Sequence, residues 1–309
     1  MATQVSFAQT YPTRPVRLIV PFQAGAGTDI AARLVATAWS ERTGQQMVVD
    51  NVTGAGGSIG ATQAAHSRPD GYTLLFSFLG THVLNPSLYK NPPYNPQTQL
   101  EPLAPAAAYN HVLVVSPNLP VSNIKEFVEF GRANPGKLNL GTVGVGSGGH
   151  IIGSALAKRF DMAVVHVPYR GSGPVLADLS TGGIQFAIDT PLAVAQLVKA
   201  GRVKALGVMS ETRNPTLPNV PTFVEQGISG FNADGWFGLF APKGIPEPVL
   251  SSIKRTLLDI VRSDAYQKKI LELNYLLPQP AALNDFAAFV ESEFRVWTPR
   301  VKDSGASLE

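Results

Sequence analysis

Nine apolar runs of strand length punctuate the chain, at residues 16–22, 47–51, 72–78, 111–116, 138–143, 164–169, 184–190, 203–210 and 236–241. Most lack strict apolar–polar alternation, the pattern of strands covered on both faces. Segments of helical period separate them, so the chain reads as an α/β fold with mostly parallel sheets. Helix-end signals agree. Asn123 followed by Glu126 has capping-box spacing, and that helix stops near Asn134-Pro135-Gly136. Thr28 or Gly27 is placed to cap a helix reaching about Arg42, with Gly44 as its C-terminal stop. From Pro246 onward the tail is helical, with Leu250, Ile253, Leu257, Ile260 and Val261 on one face.

The order of elements repeats. A strand at 17–21, a glycine loop at 25–27, a helix, a strand at 47–51, a loop at 54–57, a helix and a strand at 74–77 make one βαβαβ unit. A second runs through the strand at 138–143, the loop at 144–149, a helix, the strand at 164–169, the loop at 171–173, a helix and the strand at 186–190. Each unit puts its glycine loops at the carboxyl ends of its strands, where open α/β sheets bind ligands. Two such units facing each other predict two lobes with a cleft between. Crossings near 111–116 and 234–242 would assign 1–109 plus 233–309 to lobe one and 110–232 to lobe two.

Composition narrows the classes. In 309 residues, 44% are apolar and 15% charged, which fits a folded globular chain. Twenty-five basic against 22 acidic residues leave +3 with no lysine/arginine cluster, which argues against a nucleic-acid partner. The lack of cysteine removes disulfides, thiolate metal sites and cysteine nucleophiles. No run approaches the roughly 18 apolar residues of a membrane span. The first ten residues lack the basic and apolar regions of an export signal, leaving either a cytoplasmic protein or a mature exported form.

The loop Phe22-Gln23-Ala24-Gly25-Ala26-Gly27-Thr28-Asp29 follows a strand and opens a helix. Such a turn presents free N–H groups at the positive end of a helix dipole, which suits a carboxylate or phosphate. Asp29 competes for that dipole and is spaced to pair with Arg33. Gly144-Val145-Gly146-Ser147-Gly148-Gly149 matches G-x-G-x-x-G. Yet the next strand ends in His166-Val167-Pro168-Tyr169-Arg170, without the acid a dinucleotide site needs, so anion cradling is the better reading. Gly56-Gly57-Ser58-Ile59-Gly60 matches the G-x-S-x-G nucleophile elbow, but its place makes Ser58 read as a helix N-cap. None of the five histidines forms H-E-x-x-H or another tight ligand pair, so neither a metal nor another cofactor is expected. His82 and His150 follow glycine-containing loops and could donate to a carboxylate, and Asp189, ending a strand, could accept from a ligand or cap the next helix.

Five ordered motifs resemble the substrate-binding proteins of tripartite tricarboxylate transporters, the Bordetella uptake gene (Bug) receptors. They are Tyr11-Pro12-x-Arg14-Pro15-Val16-Arg17-Leu18-Ile19-Val20-Pro21-Phe22, Gly54-Ala55-Gly56-Gly57-x-Ile59-Gly60 and Pro69-Asp70-Gly71-Tyr72-Thr73-Leu74-Leu75, then His166-Val167-Pro168-Tyr169-Arg170-Gly171 and Val220-Pro221-Thr222-Phe223-x-Glu225-x-Gly227. The resemblance implies a type II periplasmic binding-protein fold, a periplasmic location with the signal peptide removed, and permease subunits as partners. It also implies a carboxylate held between residues 22–29 and the facing loop at 147–150. Gly25-Ala26-Gly27 departs from the family's double glycine, and Val52-Thr53 from its frequent Arg-Pro.

The combined expectation is a monomeric receptor that clamps a small organic carboxylate by hinge closure, without chemistry. Backbone donors of lobe one hold one carboxylate, while Ser77, Thr81, Ser147, His150, Tyr169, Arg170 and Asp189 complete the pocket. Phe22 and Phe78 could stack on an aromatic acid, which makes terephthalate a candidate beside C4–C6 dicarboxylates. The alternatives are a hydrolase using Ser58, a nucleotide-dependent enzyme using the Gly144 loop, and a sensor for a signalling partner.

Overall fold

The computed structural model describes residues 11–169 and 171–303. The strands are β1 (Val16–Val20), β2 (Met47–Asn51), β3 (Thr73–Phe78), β4 (Leu100–Tyr109) and β5 (Val112–Val115). They continue as β6 (Leu138–Thr142), β7 (Val164–Pro168), β8 (Phe186–Asp189), β9 (Lys204–Val208) and β10 (Gly235–Pro242). Two five-stranded sheets result, ordered β2-β1-β3-β10-β4 and β7-β6-β8-β5-β9. In the first, β1 runs parallel to β2 and β3, while β10 lies antiparallel to β3 and β4. In the second, β6 runs parallel to β7 and β8, while β5 lies antiparallel to β8 and β9. The α/β class and two-lobe architecture stand, and in each sheet four strands share one direction while a single reversed strand makes the sheet mixed. The reason is the crossovers: β10 and β5 each enter their sheet from the other lobe, against the direction of the βαβ strands.

Strand β4 carries no sequence signal because Pro102 and Pro105 interrupt it. It sits at the edge of its sheet, and both prolines pair with β10 next to register shifts, where a missing N–H is tolerated. Alternate residues of the central strands feed different cores. Leu18 and Val20 join Trp39, Val35 and Leu257 under helices Gly27–Thr43 and Glu247–Arg262, while Ile19 faces the opposite layer. In lobe two, Val112 and Val114 pack with Val175 and Val194, whereas Leu113 and Val115 pack with Phe127 and Ile151. The tail helix Phe286–Asp303 lies on β4 and also touches helix Gly148–Arg159 of the second lobe.

Two predicted caps are corrected. Ala26, not Thr28 or Gly27, precedes the first helix, and Gly57 caps helix Ser58–Ala65, so Ser58 is its first residue. Asn123 caps as expected, its Oδ1 accepting from the Glu126 N–H at 2.9 Å, and Gly44 closes the first helix at φ 71°.

The chain crosses between lobes at Asn110-His111 and returns through 209–234. The crossings are tied together. Met209 N–H donates to the His111 carbonyl at 2.8 Å, and Asn110 Nδ2 donates to Asp234 Oδ1 at 2.5 Å. Buried Asn214 donates to Asn110 Oδ1 at 2.9 Å.

Phe186 is fully buried and meets Phe127 edge-on at 5.1 Å in the second lobe. Replacing it with Ala should cost about 3–5 kcal/mol, read as a lowered urea midpoint; a loss below about 1 kcal/mol would contradict the packing described.

Candidate functional site

After β1 the chain turns through Gly25, whose φ of +81° a side chain would strain, and enters helix Gly27–Thr43. Asp29, in the first turn, points away from the helix end. Its Oδ2 accepts from Gly25 N–H and Arg33 Nε, both at 2.9 Å, and its Oδ1 accepts from Asn51 Nδ2 at 2.9 Å. Asn51 Nδ2 also donates to the Phe22 carbonyl at 2.8 Å. Burial disfavours the Asp29 charge, but the bonds from Arg33, Gly25 and Asn51 outweigh it and hold its pKa below the usual range. The carboxylate therefore braces the loop from behind, while Gly27 and Thr28 face the cleft.

The facing loop is braced in a similar way. Ser147 caps helix Gly148–Arg159, its Oγ accepting from His150 N–H at 3.3 Å and donating to the Gly144 carbonyl at 2.8 Å. Gly146 N–H donates to His150 Nδ1 at 3.1 Å. That ring stacks on His166 at 3.8 Å, and His166 Nε2 lies 2.6 Å from Thr142 Oγ1. Burial, then the neighbouring His166, pushes the His150 pKa down to about 4, so the ring is neutral near pH 7 and can accept from Gly146.

Between these loops lies a cleft of about 430 Å³, continuous with a second space of about 610 Å³ through shared walls at Phe22, Gly27, Gly56, Val143, Ser172, Thr190 and Leu192. Five helices begin on its walls: Gly27–Thr43, Ser58–Ala65, Gly148–Arg159, Ser172–Thr181 and Pro191–Lys199. At a helix start the first N–H groups lack partners within the helix, and the positive end of the dipole lies there. Among the described residues no lysine or arginine lines the cleft. Along the described lining an anion meets helix starts rather than cationic side chains.

The first lobe adds an aromatic wall. Phe22 meets Phe78 edge-on at 5.2 Å, Phe237 lies 4.9 Å from Tyr109, and Tyr275 stands 5.7 Å from Phe237 while donating to the Gly27 carbonyl at 2.8 Å. His111 enters from the crossover. Its Nδ1 lies 2.6 Å from the Ala233 carbonyl, which can only accept, so the proton sits on Nδ1. Burial pushes its pKa down to about 4 against that bond. Its Nε2 lies where a Cβ on Gly148 would be 3.0 Å away. Asp189 is the one acid of the cleft lining among the described residues. Burial raises its pKa, opposed by bonds from Ser172 and Thr190.

Of the expected residues, Phe22, Gly25, Ala26, Gly27, Thr28, Phe78, Gly146, Ser147, Gly148 and Asp189 come together on the cleft walls. Others do not reach it. Ala24 is exposed at the loop tip. Ser77 is buried in β3, Thr81 donates to the Gly56 carbonyl at 3.0 Å, and Asp29 and His150 act behind their loops. Tyr169 donates to Asp178 at 2.6 Å. His82 is corrected most plainly: it is buried, stacks on Phe240 at 3.8 Å and is absent from the cleft lining, and burial lowers its pKa to about 3, so the ring is neutral near pH 7. Arg170 lies outside the described residues. Ser58, the elbow candidate, is buried and accepts from Asn85 Nδ2 at 2.8 Å, with no histidine bonded to it. Sequence reasoning missed Tyr109, His111, Ser172, Thr190, Phe237 and Tyr275. Ser172 and Thr190 follow glycine-loop and strand-end positions and were findable; Tyr275 comes from the distant tail and carries no local signal.

Against known proteins, the family model described as the tripartite tricarboxylate transporter family receptor matches residues 31–305. A solved structure of Rpa4515 from R. palustris with adipate is similar at TM-score 0.86 and 34% identity, covering 96% of this chain and all of that one. The periplasmic binding protein BugD is similar at 0.83 and 34%, covering 97% of this chain and all of BugD. MatC from Rhodopseudomonas palustris with bound malate is similar at 0.83 and 31%, covering 94% and all of that chain.

A histidine held neutral in the folded state but free to charge when unfolded loses stability as pH falls below about 6.5. His82→Phe keeps the stack on Phe240 and removes that linkage. Between pH 7 and 4 the variant should therefore lose less stability than the parent, by more than about 1 kcal/mol in urea melts. Parallel losses would show that His82 carries no depressed pKa.

Proposed function

Because the chain belongs to the tripartite tricarboxylate transporter receptor family, whose members bind solutes rather than convert them, we propose that it is a periplasmic receptor for a small organic dicarboxylate. It closes two lobes on the ligand, performs no chemistry, and hands the ligand as a monomer to membrane permease subunits. The lobes are residues 1–109 plus 233–309 and residues 110–232, a division supported by the paired crossings at Asn110-His111 and 209–234.

The observation that carries this reading is the facing of two glycine-rich helix starts, Gly27–Thr28 and Ser147–Gly149, across a cleft whose described lining has no lysine or arginine. Amides and helix dipoles suit a carboxylate and are poorly matched to an amine or a sugar ring. The wall of Phe22, Phe78, Phe237 and Tyr109 suits an apolar spacer between two acid groups. Relatives of similar structure hold adipate and malate, so a C4–C6 diacid is the leading class. Terephthalate stays a candidate because its ring would lie against the same aromatic wall.

A thermal-shift screen of adipate, malate, terephthalate, amino acids and sugars tests the class. A diacid at 100 times its Kd should add about 2.7 kcal/mol of stability. Shifts with amino acids or sugars but with no diacid would refute the reading. Gly148→Ala places a Cβ 3.0 Å from His111 Nε2, at the start of a helix that lines the cleft. It should weaken diacid binding at least about tenfold by calorimetry, some 1.4 kcal/mol, with the fold retained; unchanged affinity would move the site elsewhere.

A further inference from the structure

The paired crossings that form the back of the cleft have a second face. His111 lines the cleft, whereas its hydrogen-bond partner Ala233 lines a separate cavity of about 400 Å³ on the other side. Both lobes contribute to that cavity. Helix Gly148–Arg159 brings Ile152, Lys158 and Arg159 from lobe two, the return crossing brings Phe231, and the tail helix brings Trp297 and Arg300 from lobe one.

Its chemistry is the reverse of the cleft's. Three cations and no acid line it among the described residues. Arg159 Nη2 donates to the Ser229 carbonyl at 2.9 Å, and Arg300 Nη1 to the Asn232 carbonyl at 3.3 Å, so each guanidinium is anchored to the crossing by a fraction of its five N–H donors. Each also lies over a ring, Arg159 over Phe231 at 5.7 Å and Arg300 over Trp297 at 4.8 Å. Both lie in the last turn of their helices, where the dipole favours a cation. Brought together, they repel. Burial lowers the Arg300 pKa, Glu293 opposes that, and the Arg159 charge adds to it. Glu293, which accepts from the Trp236 indole at 3.0 Å and from Trp297, offsets part of the Arg300 charge from outside the cavity lining.

We propose that this cavity is a second ligand site, for a small amphipathic anion whose carboxylate bridges Arg159 and Arg300 and whose hydrocarbon body lies on Ile152, Phe231 and Trp297. The site is distinct from the cleft and does not depend on the cleft's assignment. Helix Gly148–Arg159 joins the two, with Gly148 in the cleft and Arg159 in the cavity, about 16 Å apart at 1.5 Å per residue.

Octanoate is the probe, with octylammonium as the charge-reversed control. Calorimetry on the full chain should find one octanoate site, no octylammonium binding, at least about tenfold weaker octanoate binding in Arg159→Ala and Arg300→Gln, and no change in Gly148→Ala. Equal binding of octylammonium would overturn the proposal by showing an apolar pocket without charge selection. Octanoate affinity unaffected by both arginine variants, or lost in Gly148→Ala, would overturn it by placing the probe elsewhere or in the cleft. Adipate titrations of the same variants separate the two sites. Failure of adipate to bind anywhere would count against the dicarboxylate reading alone, while adipate affinity preserved in the arginine variants shows that they fold.

Discussion

An α-helix leaves its first N–H groups without partners inside the helix, and five helices of this molecule begin on the walls of one cleft. That convergence follows from topology. In each lobe the parallel strands end at the same edge, and each hands the chain to a helix there. Once the two edges face each other, those helix starts line the cleft between them. The remaining features of the site serve either to keep those donors oriented or to keep competing charge away from them.

Asp29 and His150 are the clearest examples of the second role. Each lies in the first turn of a helix whose start faces the cleft, and each is turned to brace its loop. The Asp29 carboxylate is absorbed by Gly25, Arg33 and Asn51, and the His150 ring is held neutral by burial and accepts from Gly146. A rigid, uncharged set of amides would bind an anion with little reorganisation. Behind the crossings the same helix, Gly148–Arg159, ends in side-chain cations. The crossings thus separate a cleft lined by helix starts from a cavity lined by guanidinium groups.

Much of this was legible in the chain. The repeated strand, glycine-loop and helix order located both halves of the cleft, and Phe22, Gly27, Ser147 and Asp189 stand where that order put them. What failed did so for physical reasons. Pro102 and Pro105 hid β4, because a proline reads as a strand breaker until the strand is known to be an edge. His82 and Thr81 follow a glycine as binding residues do, but their side chains turn into the core, a direction that spacing does not encode. Tyr275 and His111 reach the site only through tertiary folding, one from the tail and one from the crossover.

The central claim is that backbone amides from both lobes hold the ligand's carboxylates. It is tested most directly by following the amide resonances of uniformly ¹⁵N-labelled protein during a titration with adipate. The account predicts saturable downfield proton shifts at Gly27, Thr28, Gly148 and Gly149, from both sides of the cleft and with a common Kd. Binding that leaves those four amides unmoved, or that perturbs only one lobe, would contradict it.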